Sequence, residues 1–225
     1  MNNQGSTKSI SIGVGVAVGL YGISFGALSS AAGLDIWQTM ALSLLMFSGG
    51  SQFAFVGVIA SGGLSSIPGA ITSAWLLGVR NGFYAIRMAP LIQARGLKRL
   101  VAAELTIDES TAVALSRETD DEMRRGFWWT GAAVYIFWNL LTLLGAILGK
   151  TLGDPSRWGL DAAAAAAFVG LVWPRLVDLA SRSTAAVAIV VAVVASPFVP
   201  AGVPVLLSGL VGLAFGFALK KPVNV

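Results

Sequence analysis

Apolar stretches long enough to cross a bilayer take up almost the whole chain. They fall at about 10–32, 36–60, 66–92, 126–149, 160–178, 183–200 and 203–219, against the roughly 17–25 residues a spanning helix needs. In hydrocarbon a backbone satisfies its own N–H and C=O groups only in helices or closed barrels. Long runs without strict alternation read as helices. The expected fold is an all-α integral membrane protein with about seven transmembrane helices, in one domain covering residues 1–225. The first run also exceeds the 7–15-residue core of a signal peptide, so it reads as a span.

Composition narrows the chemistry. The hydrophobic set makes up 56% of the 225 residues and charged residues only 12%, where about 25% charge is usual in soluble domains. A soluble enzyme or nucleic-acid-binding domain would need more charge to solvate its surface. The net charge of +4 comes from Lys and Arg at membrane-flanking positions such as Arg95, Lys98, Arg124 and Lys220, so nucleic acid is not an expected partner. There is no histidine and no cysteine, which removes the usual general base, zinc ligand and thiolate. No metal or cofactor is expected. Gly145-Ala-Ile-Leu-Gly-Lys-Thr151 is one residue short of a phosphate-binding loop, and the aspartates near span ends offer no proteolytic pair, so an enzyme is not expected.

One long polar stretch, 93–125, holds with Arg87 14 of the 26 charged residues. Within it a short amphipathic or re-entrant helix is expected at about 100–116. It would carry Glu104 and Asp108 on one face, because residues four apart are helix neighbours. If seven spans alternate, the polar stretch, the connection with Arg175 and Arg182, and Lys220 and Lys221 fall together on the cytoplasmic side, with the uncharged turn at 196–204 outside. That arrangement puts the N-terminus outside. Lys8 argues against it, and an extra re-entrant or spanning element between 36 and 118 would reverse it.

Glycine supplies the packing signal. Gly15/Gly19, Gly22/Gly26, Gly145/Gly149 and Gly212/Gly216 are GxxxG pairs, which let helix backbones approach where lipid gives no hydrophobic drive. Leu20 to Gly26 and Leu210 to Gly216 also share the pattern L-x-G-x-x-F-G, a faint internal echo of the kind transporter repeats leave.

The polar interruptions inside the apolar runs are the candidate site. Phe47-Ser48-Gly49-Gly50-Ser51-Gln52-Phe53 breaks the second span at its middle. Freed backbone at that depth is tolerated only where it lines a cavity or is buried in protein. The amides starting the second half, around Ser51 to Phe53, would suit an anionic group; a glycine-packed kink is the alternative. Arg80, with Asn81 and Tyr84 beside it, lies within the third run. An arginine there needs a partner, either a substrate carboxylate or an acid of 104–109. Glu104, Asp108 and Glu109 are the acids closest to apolar sequence, candidates for an ammonium, a coupled proton or a counter-ion to Arg80. Trp173 before Pro174 and Trp138 before Asn139 read as packing residues, with Trp173, Phe53 and Tyr84 as the candidate apolar wall of a substrate pocket.

Together these segments resemble the large subunit of the AzlC-type branched-chain amino-acid permeases and exporters. The likeness runs from Phe25 to the end of the chain through FSGGSQF at 47–53, VRNGFY at 79–84, LTIDES at 105–110, the Trp138 segment and AAFVGLVWPRL at 166–176. In the family a threonine directly precedes the aspartate, whereas here Ile107 intervenes. The resemblance implies a multi-pass bacterial inner-membrane transporter. It implies proton-driven export of valine, leucine, isoleucine and sometimes methionine, together with a small hydrophobic AzlD-type subunit. Import, passive conduction and a non-transporting scaffold are the competing functions.

Overall fold

The computed structural model describes residues 3–151, 169–170, 172–173 and 176–218. Its elements are helices, with no strand among the described residues: α1 (Asn3–Ala31), α2 (Ile36–Leu45), α3 (Gly49–Gly62), a 3-10 turn at Leu64–Ser66, α4 (Ile67–Ile92), α5 (Leu97–Glu104), α6 (Asp108–Leu115), α7 (Asp120–Thr151), α8 (Leu179–Ala195) and α9 (Val203–Ala218).

Two of them, Thr7–Ala31 within α1 and Asp120–Thr151, are both long enough and apolar enough to cross a membrane. The expected count of seven spans is not confirmed, and most of the 160–178 run lies outside the described residues. Large apolar side chains cover much of the outer surface, including Trp75, Phe83 and Ile86 on α4. Apolar exposure of that extent suits lipid rather than water.

The frame is the α1–α7 pair, the most extensive helix contact in the molecule. The two helices run parallel. A Cβ on Gly15 would lie 2.8 Å from Ala133, one on Gly19 2.8 Å from Phe137, and one on Gly22 2.8 Å from the Trp138 carbonyl. Gly26 and Gly145 sit against the facing backbone more closely still. Small hydroxyl residues fill the same seam, with Ser11 Oγ and Thr130 Oγ1 sharing a 2.8 Å hydrogen bond. Three of the four GxxxG pairs thus pack inside the chain. Gly212 and Gly216 face open space, so the L-x-G-x-x-F-G echo marks no equivalent packing.

Parallel packing corrects the expected orientation. Lys8 lies over Trp129 at 4.6 Å, which puts the start of α1 at the same end as the start of α7 and the charged 93–125 connection. The end of α4 is there too, since Arg124 Nε donates to the Leu91 carbonyl at 2.8 Å. The N-terminus therefore shares a side with the polar connection instead of opposing it. The turn before α9 lies at the other end, where Ala201 and Gly202 meet Gly69.

The reversal has a structural cause: the 36–60 segment does not cross. After α1 the chain closes a Schellman turn at Gly33 (φ +89°), with Leu34 N bonded to Ser29 O and Gly33 N to Ser30 O. Asp35 and Gln38 then form a capping box that starts α2. α2 descends along α7 until Leu44 O meets the Tyr135 hydroxyl at 3.2 Å. At 46–48 the helix breaks, as expected, but α3 then climbs back to the end it came from. Gly49 touches Trp138, whereas Val58 and Ile59 pack with Ala32, Leu34 and Ala201.

The 97–115 segment mirrors this from the polar end. Instead of one helix at 100–116 there are two eight-residue helices separated at 105–107. α5 leads inward to Leu105, which rests on Gly131, and α6 leads back out until Ala114 rests on Gly126. Two re-entrant helix pairs thus enter from opposite ends and meet at their tips, where Phe47 N donates to Glu104 Oε1 at 3.3 Å.

Candidate functional site

Where the tips meet, the first turns of α3 and α6 open onto one cavity. It is lined by Gly49, Gly50 and Phe53 of the first pair, Ile107, Asp108 and Glu109 of the second, Arg80 of α4, and Val18, Tyr21, Val134 and Trp138 of the α1–α7 frame. Both helix N-termini carry the positive end of a helix dipole, but they are furnished differently. α6 begins with Asp108 and Glu109, its own counter-charges. α3 has no acid in its first turn and no side chain capping it, so its leading amides have no partner within the helix.

Arg80 connects the two. A Cβ on Gly50 would stand 3.2 Å from an Arg80 nitrogen, so the glycine is what lets the guanidinium lie against the α3 terminus. On its other side the same nitrogen reaches Asp108 Oδ1 at 3.6 Å, with the two side chains 32% and 20% exposed. Arg80 Nε is buried without a hydrogen-bond partner. A pair this long retains capacity for another oxygen ligand, because a guanidinium donates five hydrogen bonds in a planar fork. Of the two partners open to Arg80 from sequence, the structure supplies the internal acid.

The remaining candidates divide. Ser48, Ser51, Asn81 and Glu104 line a second, wider cavity on the α4 side of the tips, with Met46, Phe47 and Trp75. Asn81 Oδ1 is buried there and unpartnered, and Ser51 Oγ donates to Ser48 Oγ at 3.1 Å. Gln52 faces neither space. Fully buried, its amide nitrogen donates to the carbonyls of Met46 (2.9 Å) and Leu42 (3.2 Å), and its oxygen accepts from Trp138 Nε1 at 2.9 Å. It terminates α2 and fixes the break. Tyr84 lines neither cavity. Trp173 is 72% exposed and away from both, so of the expected apolar wall only Phe53 is in place.

Trp138 takes over that part. Read from sequence as packing, it is the ring against which Gly49 closes, and it stacks on Phe25 at 6.1 Å and meets Phe53 edge-on at 6.3 Å. A tryptophan four residues after Val134, in a helix seamed with glycine, was the available signal. No group of three or more metal-ligating residues occurs among the described residues.

No curated protein and no solved structure matches the chain. The family described as AzlC protein matches residues 13–152, which takes in α1 from residue 13 onward, both re-entrant pairs, α4 and α7. The AAFVGLVWPRL segment lies beyond that match. With more than half of its length matched, including every residue lining the first cavity, the chain belongs to the AzlC family.

Proposed function

We propose that this protein is a secondary transporter that exports branched-chain amino acids. The observation that carries the reading is the pairing of opposite charges in one cavity. The uncapped α3 terminus and Arg80 offer sites for a carboxylate, and Asp108 with Glu109 offers sites for an ammonium. A zwitterion fits that pairing, and discontinuous helices meeting at mid-membrane are the usual setting for such a site in secondary transporters. Membership of a family associated with branched-chain amino-acid transport supports it further.

The steps follow from the residues. The incoming carboxylate takes the Arg80 fork and the leading α3 amides, displacing Asp108 from its 3.6 Å contact. Asp108 and Glu109 turn to the ammonium. When the substrate leaves, one guanidinium again faces two carboxyls, and a single proton balances that charge. Binding of substrate and of proton at the acids therefore alternate, as proton-driven export requires. In this reading the 93–125 connection and both termini face the cytoplasm of a bacterial inner membrane. The apolar α4 face beside the second cavity is available to a small hydrophobic membrane subunit.

Valine counterflow in membrane vesicles tests the reading. Arg80→Ala is expected to lower transport by about a hundredfold, from the roughly 3 kcal/mol lost with a charged hydrogen-bond partner. Asp108→Asn is expected to preserve exchange while slowing net, proton-driven flux. Unchanged valine transport in both variants would remove the site from this cavity, and full net transport after an uncoupler would favour a passive channel.

A further inference from the structure

The lining of the first cavity is divided by chemistry as well as by element. Gly49, Gly50, Arg80, Asp108 and Glu109 lie on the side of the re-entrant tips, and Val18, Tyr21, Val134 and Trp138 on the side of the α1–α7 frame, with Phe53 between. An α-amino acid has three arms on one carbon. With its carboxylate and ammonium on the tips, the third arm must point at the frame.

Resting on the amino-acid reading above, we propose that Val18, Phe53, Val134 and Trp138 form the side-chain subsite, sized for a short aliphatic chain, and that the glycine seam between α1 and α7 fixes its width. Val134 and Trp138 are four residues apart and share a face of α7. Both are almost wholly buried. The Trp138 Nε1 is already committed to Gln52 Oε1 at 2.9 Å, so the ring presents the cavity with no free donor and is locked in orientation. Val18 comes from α1 between Gly15 and Gly19, whose missing Cβ atoms would stand 2.8 Å from Ala133 and Phe137. The helices are in backbone contact on both sides of Val18, which leaves them no room to close in, and separating them would open voids along the seam.

A wall of this kind selects in two ways. Polar side chains find no hydrogen-bond partner on Val18, Phe53, Val134 or the Trp138 ring and are disfavoured there. Aliphatic ones are sorted by volume, where one methylene in an apolar pocket is worth roughly 10–200-fold. Trp138 is thus a specificity residue held in place by Gln52, and the AzlC-family substrate range is set by α1 and α7 and not by the re-entrant tips alone.

The test compares ratios, which a general loss of folded protein leaves unchanged. Vesicles carrying the full chain are assayed for counterflow of alanine, valine, leucine and phenylalanine, for wild type, Val134→Ala, Val18→Ala and Val134→Phe. Val134→Ala and Val18→Ala are expected to raise phenylalanine relative to valine by about tenfold, and Val134→Phe to lower leucine relative to alanine by about tenfold, the effect of one to a few methylenes. Should Val134→Phe fail to accumulate, the two alanine variants decide alone. Ratios within twofold of wild type in both would overturn the subsite while leaving amino-acid transport standing. A wild-type chain that moves none of the four amino acids would overturn the transport reading and the subsite together.

Discussion

The two re-entrant pairs have the same outline but are held in different ways. The α2–α3 tip is tied by side chains from within and from α7: Gln52 caps the end of α2, Trp138 bonds Gln52, and the Tyr135 hydroxyl bonds Leu44 O. The α5–α6 pair is held mainly along α7, with the Arg80–Asp108 contact reaching it from α4. α6 lies on Gly126 of α7 and Leu105 at the tip on Gly131, whereas Leu97, Leu100 and Val101 of α5 are exposed. Its local bonds, Ser110 Oγ to Leu105 O at 2.6 Å and Thr106 Oγ1 to Ala102 O at 2.6 Å, shape the tip without anchoring it to a neighbour. The two pairs share the hydrogen bond from Phe47 N to Glu104 Oε1. The proposed carboxylate site thus rests on the tip that Gln52 and Trp138 anchor, while both acids of the proposed ammonium site sit at the start of α6.

That contrast can be broken at either tip. The largest effect is expected from Gln52→Leu, which leaves the Trp138 N–H and the last carbonyls of α2 unpaired inside the core. At about 1–3 kcal/mol for each buried polar group left unsatisfied, the variant should lose about 3 kcal/mol of stability, read as a lower thermal midpoint in detergent. A midpoint equal to wild type would mean that the α2–α3 tip is not anchored by this residue. Glu104→Ala is the smaller counterpart. Removing one 3.3 Å hydrogen bond at a half-buried position should cost about 1 kcal/mol or less. Hydrogen exchange should quicken through α5 and leave α2–α3 unchanged. Equal quickening in both pairs would show them to be one unit.

Much of this was legible in the sequence, but unevenly. The break at 46–48 follows from two adjacent glycines and two serines in an apolar run, and the involvement of Arg80 with an acid of 104–109 follows from the cost of an unpaired guanidinium. What the residues do not disclose is that the chain turns back. A broken helix that crosses and a pair that returns have the same length and apolar content, so the 36–60 run reads as a span, and seven alternating spans put the N-terminus opposite the polar connection. The break at 105–107 is also silent, because Leu-Thr-Ile carries neither glycine nor proline and the local signal is only Ser110 closing on Leu105 O. Gln52 and Trp138 exchanged roles for a related reason. A polar side chain in an apolar run is as useful for capping a helix end as for holding a ligand, and only the tertiary contact decides.

The 36–62 and 97–115 segments re-enter from opposite ends instead of crossing. The chain has no cysteine of its own, so single cysteines introduced at exposed Ser9, Ala31, Ser65 and Glu118 report sidedness directly when intact cells are treated with a membrane-impermeant maleimide. Re-entrant pairs predict that Ala31→Cys and Ser65→Cys label from one side, and Ser9→Cys and Glu118→Cys from the other. Labelling of Ala31→Cys and Ser65→Cys from opposite sides would make the 36–62 segment a true span and overturn its re-entry.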